Sequence, residues 1–162
     1  MEQFAVASPL GPLTVTLDGN AITRLEFPRS PRTSAPAMAA GDGPRSPAGE
    51  RVARALGAYF SDAEPPALML RPGGTAFQQH VWEALRAVPA GETATYGELA
   101  ARAGSPRAAR AVGQACARNP IPVLIPCHRA VGASGPGGWS GLPGAKEWLL
   151  AHEADVINRA AP

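Results

Sequence analysis

The N-terminal stretch alternates apolar and polar positions. Phe4 to Ala7, Leu13-Thr-Val-Thr-Leu17 and Ile22 to Phe27 space their apolar residues near two apart, the period of a strand with one buried face. Ser8-Pro-Leu-Gly-Pro12 and Asp18-Gly-Asn20 lie between them and are rich in turn formers, so the pattern predicts a small antiparallel sheet. From Pro28 to Gly49 the chain becomes Pro, Ser, Ala and Gly with almost no large apolar residue, which predicts a loop without fixed structure. Glu50 to Phe60 switches to a helical period, with Val52, Leu56, Tyr59 and Phe60 on one face. Leu68-Met-Leu70, after two prolines, is predicted to return a strand to the sheet.

A boundary is expected at Arg71 to Gly74. Beyond it Thr75 is placed to cap a helix whose apolar face is Phe77, Val81, Trp82, Leu85 and Val88. Thr93 to Ala103 reads as a second helix and Gly104-Ser105 as a tight turn. Pro106 to Ala117 reads as a third helix, with Ser105 as N-cap and Pro106 in the first position. The fold class is therefore α+β. A small N-terminal α/β domain over 1–73, an antiparallel sheet plus a helix, precedes a mainly helical domain over 74–162 that carries a helix-turn-helix of winged-helix type. Two helices joined by a short turn form a DNA-binding shape, although pattern alone favours two packed core helices.

Charge decides between these readings. The 162-residue chain has a net charge of only +2. From Leu99 to Lys146, however, Arg102, Arg107, Arg110, Arg118, Arg129 and Lys146 meet no Asp or Glu. Those six positive charges leave the remainder of the chain at about −4, so basicity is concentrated where a polyanion would bind, and DNA becomes the leading partner. No apolar run approaches the roughly 18 residues of a membrane span, and no secretory signal is visible at the start, so a soluble, cytoplasmic protein with no membrane association is expected. The two cysteines, Cys116 and Cys127, are expected to be reduced, and with three histidines they form no metal-ligand spacing.

Chemistry is concentrated after the third helix, in Asn119-Pro-Ile-Pro-Val-Leu-Ile-Pro-Cys-His-Arg129. Three prolines there remove backbone donors and are expected to hold the segment extended and rigid. His128 and Arg129 are neighbours able to lower the pKa of the Cys127 thiol. In an extended segment successive side chains point opposite ways, so contact between His128 and the sulfur requires a bridging water or a local bend. A cysteine in an apolar run is ordinarily a packing residue, the reading given to Cys116 in its alanine-rich helix. The adjacent His and Arg, the proline framing and the glycine-rich stretch from Gly132 to Gly144 mark Cys127 as reactive instead.

Pro126-Cys-His-Arg129, preceded by Arg118-Asn-Pro-Ile-Pro-Val-Leu-Ile125, resembles the active-site signature of the O6-alkylguanine-DNA alkyltransferases. The resemblance runs from Phe77 to Glu153, through Thr95-Tyr-Gly-Glu-Leu-Ala100, Ala108-Ala-Arg-Ala-Val-Gly113 and Lys146-Glu-Trp-Leu-Leu-Ala-His-Glu153. Over Met1 to Leu70 it extends only to general layout. It implies stoichiometric transfer of an alkyl group from O6-alkylguanine in double-stranded DNA to Cys127, and leaves open whether O4-alkylthymine is a second substrate. His128 would activate the thiol through water, Glu153 would orient His128, and Asn119 would brace the turn. Tyr96 would support base flipping and Arg110 would fill the gap left in the stack. Ala108, Ala109, Ala111 and Gly113 would let the third helix approach the minor groove, with Arg129 also on the DNA. Pro122, Ala130, Trp139 and Ser140 would line the alkyl pocket. No cofactor and no metal are implied, and the protein is expected to act as a monomer. By residue type alone, Glu153 reads first as a helix-surface charge, Tyr96 as a packing residue and Arg110 as a solvated cation.

Three departures from the family pattern lie near the pocket: Ala130 where Val is usual, Trp139 where Tyr is usual, and a slightly shorter loop around it. Other classes remain as alternatives. Alkyltransferase-like binding proteins lack the reactive cysteine. A helix-turn-helix transcription factor needs base-reading polar side chains that Ala108 to Ala117 scarcely offers. A Cys-His hydrolase would turn over repeatedly on small esters or amides.

Overall fold

Strands β1 (Glu2–Val6), β2 (Leu13–Asp18) and β3 (Ala21–Glu26) form an antiparallel sheet in chain order, in a computed structural model that describes residues 1–28, 43–61 and 67–160. β1 pairs with β2 from Glu2 opposite Leu17 to Val6 opposite Leu13. The register to β3 shifts by one between Thr16 and Leu17, a bulge that brings Leu17 opposite Ile22. Phe4, Leu13, Val15, Leu17, Ile22 and Leu25 are buried, and α1 (Pro47–Ser61) adds Val52, Ala55, Leu56 and Tyr59.

The predicted face of this helix needs one change: Phe60 is only half-buried, and Ala55 takes the inward position. Most of the predicted loop, 29–42, lies outside the described residues, but its end is ordered. Pro47 to Gly49 already belong to α1, and Glu2 fixes the helix entrance by accepting from Arg45 N at 2.6 Å and from the Ser46 hydroxyl. Ser46 Oγ accepts in turn from Gly49 N at 3.0 Å, satisfying a donor that helix geometry leaves unpaired. Leu68 to Leu70 does not form a strand. It makes a single parallel bridge from Leu70 to Ile22, and Met69 is 62% exposed, because only two backbone bonds hold it to β3.

By backbone contacts the chain divides into two compact units, Met1–Pro72 and Gly73–Pro162. The second holds helices α2 (Ala76–Arg86), α3 (Tyr96–Arg102), α4 (Ala109–Ala117) and α5 (Ala145–Ala160). Thr75 caps α2 in a reciprocal capping box with Gln78. Val81, Trp82 and Leu85 are buried, and the Trp82 indole N–H donates to Ala115 O at 3.0 Å, fastening α2 to α4.

The other two helices begin later than the sequence pattern predicts. α3 starts at Tyr96 because Thr95 forms a capping box with Glu98, while Ala94 and Thr95 make a short strand, β4. α4 starts at Ala109, and Ser105 is not its cap: residues 105–108 close a turn through Ala108 N to Ser105 O, and Ala108 ends the approach without a side-chain cap. β4 pairs in parallel with β5 (Ala130–Val131), Ala94 opposite Ala130 and Thr95 opposite Val131. That pairing sets the start of α3 beside the segment carrying Cys127.

Candidate active site

Cys127 lies on a single 3-10 turn, Cys127–Arg129, rather than in an extended run. The preceding segment is folded back on itself: Ile125 N donates to Ile121 O at 2.9 Å, and Val123 sits at φ 73. A buried β-branched residue at positive φ is strained by about 1–3 kcal/mol and persists only where its surroundings enforce it. Asn119 supplies that enforcement, its amide N–H donating to Ile125 O at 2.8 Å and its carbonyl accepting from Ile121 N at 2.9 Å. The three prolines thus stiffen a turn, not an extended wall, and this is the local bend that the alternation argument required.

Glu153 receives His128 and Arg129 inside the protein. α5 presents Ala145, Lys146, Leu149 and Glu153 inward, and its Glu153 carboxylate lies 2.6 Å from His128 Nε2. The Arg129 guanidinium reaches the same carboxylate through Nε, at 3.3 and 3.0 Å, and through Nη2 at 2.9 Å, while Nη1 donates to Val88 O at 2.5 Å. All three residues are 5% exposed or less. Arg129, expected on the DNA surface, is therefore withdrawn from that set, because its donors are directed into the interior. His128 Nδ1 is the one buried side-chain nitrogen or oxygen without a hydrogen-bond partner among the described residues.

The electrostatics also differ from the simple expectation of a lowered thiol pKa. Burial pushes the Cys127 thiol up, and a hydrogen bond with the Asn119 side chain and the Lys146 charge only partly offset it. Cys127 therefore rests as a thiol. Arg129 contributes little to it because its charge is spent on Glu153. Burial tends to raise the Glu153 pKa, yet hydrogen bonds from His128 and Arg129 overcome it and hold the carboxyl at about 2. Burial lowers the His128 pKa, and Arg129 and Lys146 add to that against the pull of Glu153. A neutral imidazole thus faces an ionised carboxylate. Cys116 is pushed up to about 12 by burial and by the nearby Cys127, in keeping with an inert packing thiol.

Lys146 is the residue that sequence reasoning left without a role. It is 1% exposed, its ammonium donates to Ala130 O at 2.7 Å and Gly138 O at 3.1 Å, and it stands 6.0 Å from the centre of the Tyr96 ring. Its seven-residue spacing to Glu153, two helical turns, was a visible signal that both share one face of α5. Tyr96 is half-buried, and an added Cβ on Gly137, itself at φ 80, would meet its hydroxyl at 2.6 Å, so only glycine lets that loop lie on the ring.

Trp139 folds over its own loop, with its indole N–H donating to Leu142 O at 2.9 Å and its ring against Gly141. Ser140 is exposed and its hydroxyl donates to Ala117 O at 3.3 Å, whereas Pro122 is half-buried and Ala130 fully buried. Ala108, just before α4, and Ala109, Ala111 and Gly113 on it are half-buried, Arg110 is exposed, and nothing lies within 4 Å of where a Gly113 side chain would begin. Among the described residues no cluster of His, Cys, Asp and Glu could hold a metal ion, and no helix is long and apolar enough to cross a membrane.

Residues 76–155 match the family described as 6-O-methylguanine DNA methyltransferase, DNA binding domain. The chain is 40% identical over 149 residues to the methylated-DNA–protein-cysteine methyltransferase of Haemophilus influenzae, covering 90% of this chain and 82% of that protein. It belongs to this family. The Salmonella typhimurium protein of the same name is 52% identical over 86 residues, 52% of this chain, and the match spans half of that protein's length. Among solved structures, O6-methylguanine methyltransferase of Mycobacterium tuberculosis superposes with a TM-score of 0.81 at 39% identity, over 99% of this chain and 94% of that one. Its complex with DNA gives 0.78 at 34% identity, over 96% and 94%.

Proposed function

We propose that this protein repairs DNA by moving the alkyl group of O6-alkylguanine, and of O4-alkylthymine, onto Cys127 in a single irreversible turnover. The observation that carries the reading is the buried His128–Glu153 pair at 2.6 Å on the turn next to Cys127, within a methylated-DNA–protein-cysteine methyltransferase chain. His128 takes the thiol proton at Nδ1 through a water, since Nε2 is engaged by Glu153. The sulfur then bonds the alkyl carbon as the carbon–O6 bond breaks, and that electron pair leaves with the guanine. The thioether formed has no activated leaving group, so the protein is consumed.

A lesion inside the duplex is out of reach of a buried thiol, so the base must rotate out, at a cost of roughly a few kcal/mol. The α3–turn–α4 pair serves as the winged helix-turn-helix, with α4 in the minor groove, which is about 6 Å wide and carries little sequence information. Small residues along α4 suit that approach, Tyr96 assists the flip, and Arg110 enters the vacated stack. Asn119 holds the turn, and Pro122, Ala130, Trp139 and Ser140 bound the alkyl pocket. The protein acts as a cytoplasmic monomer through its 74–162 domain, without cofactor or metal.

Incubation with a duplex labelled in the methyl of O6-methylguanine tests this reading. One label per protein, recovered on the Cys127 peptide, is the expected result. Sustained turnover, or label on Cys116, would overturn it. Cys127→Ser should lose transfer and keep duplex binding.

A further inference from the structure

Beyond the thiol, imidazole and carboxylate, the buried cluster contains a guanidinium whose geometry is as constrained as theirs. Arg129 is 5% exposed and makes hydrogen bonds to both oxygens of Glu153 and to Val88 O. A cation buried this way costs several kcal/mol in desolvation unless its partners offset it, so simple packing is a poor explanation for an arginine here.

We propose that Arg129 is a positioning residue of the relay, which orients Glu153 and balances its charge so that His128 is held as the uncharged Nε2–H tautomer with Nδ1 free to accept. The inference rests on the alkyl-transfer reading and deepens it. The ion pair with Arg129 keeps Glu153 ionised, so the carboxylate has no proton to give and acts toward His128 only as an acceptor. Nε2 must therefore carry the hydrogen in the 2.6 Å contact. Arg129 and Glu153 together are neutral. A second proton on His128 would leave a net positive charge in a buried cluster that also contains Lys146, and this disfavours the imidazolium.

The charged and titratable groups facing His128 are Glu153 and Lys146 from α5, and Cys127 and Arg129 from its own turn. α2 also packs against this turn, but its His80, Glu83 and Arg86 are exposed. Without Arg129, Glu153 would be an uncompensated buried anion beside His128 and would draw a proton onto the imidazole. The base would then be occupied at pH values where the wild type has it free.

The test uses the full chain and the pH dependence of alkyl transfer from a free O6-benzylguanine base, which needs no DNA. Arg129→Gln should move the acid limb of the rate toward higher pH by about one unit, and Arg129→Lys should keep it near the wild-type position. Adding Glu153→Gln to Arg129→Gln removes the uncompensated anion and should bring the limb back. Ring 15N spectra of the three histidines give a second readout that needs no variant: His128 should show a protonated Nε2 and a bare Nδ1 at neutral pH. A hydrogen on Nδ1, or a slower Arg129→Gln protein whose acid limb has not moved, would overturn the proposal. If no alkyl group reaches Cys127 from any substrate, the transfer reading fails, and the His128 ring spectrum of Arg129→Gln, followed with pH against the wild type, still decides what Arg129 does.

Discussion

Glu153 is where one side chain matters most, because it satisfies His128 and Arg129 together. Glu153→Gln should slow transfer by roughly 100-fold, the range that a positioned acid–base group contributes, while duplex affinity changes little. It should also destabilise the fold by about 3–5 kcal/mol, because Arg129 is left as an uncompensated buried charge. Single-turnover rates and denaturant midpoints separate the two effects. The pH dependence of stability follows from the same pair. His128 is depressed in the folded state, so the unfolded chain binds more protons below about 6.5, and stability should fall as the pH is lowered through that value. Glu153 is depressed to about 2, so its contribution is complete above its ordinary value of 4.5 and lost between there and about 2. Midpoints measured at pH 7.5, 6 and 5 should decline in that order, and a flat profile would contradict a neutral buried His128. The meeting of His128 with Glu153 beside Cys127 was legible in the sequence because the resemblance pairs them. The Arg129 pairing was not, since a basic residue beside a reactive cysteine reads as surface charge until α5 is known to fold back over it.

Among the helices, α4 makes the most distinctive prediction. Gly113 has helical backbone and open space around it, so Gly113→Ala should stabilise the fold by about 0.5–1 kcal/mol. If α4 lies in the minor groove, the added methyl should weaken duplex binding at the same time. Stability and affinity moving in opposite directions is the expected outcome, and an unchanged affinity would take Gly113 off the DNA. Arg110→Ala should slow reaction with a methylated duplex yet react almost normally with free O6-benzylguanine, because on the proposed mechanism only the duplex requires a flipped base. Equal losses on both substrates would assign Arg110 to the pocket or the fold. The starts of α3 and α4 illustrate the limit of periodicity. Apolar spacing located both helices, but the Thr95 box with Glu98 and the turn closed by Ser105 O set where they begin. A proline in the first position and a serine before it describe a favourable start without compelling it.

Charge summed along the chain overstates what the folded molecule offers to DNA. Of the six positive charges between Leu99 and Lys146, Arg129 and Lys146 are buried, and Arg102, Arg107, Arg110 and Arg118 remain exposed. Each phosphate contact contributes a slope of about −0.9 to the logarithm of affinity against the logarithm of salt concentration, so this region accounts for no more than about −4. Replacing Arg102 or Arg107 should flatten the measured slope by about one unit, without the duplex-against-free-base contrast of Arg110. The dispersal of the site along the chain has a further consequence. Val88, Cys127 and Glu153 come from widely separated stretches, and α5 supplies the last of them. A chain emerging from the ribosome carries its thiol before the carboxylate that pairs with the histidine. On the proposed mechanism, His128 lacks its Glu153 partner until α5 docks, so alkyl transfer to Cys127 would be withheld from a nascent chain until the unit has closed on itself.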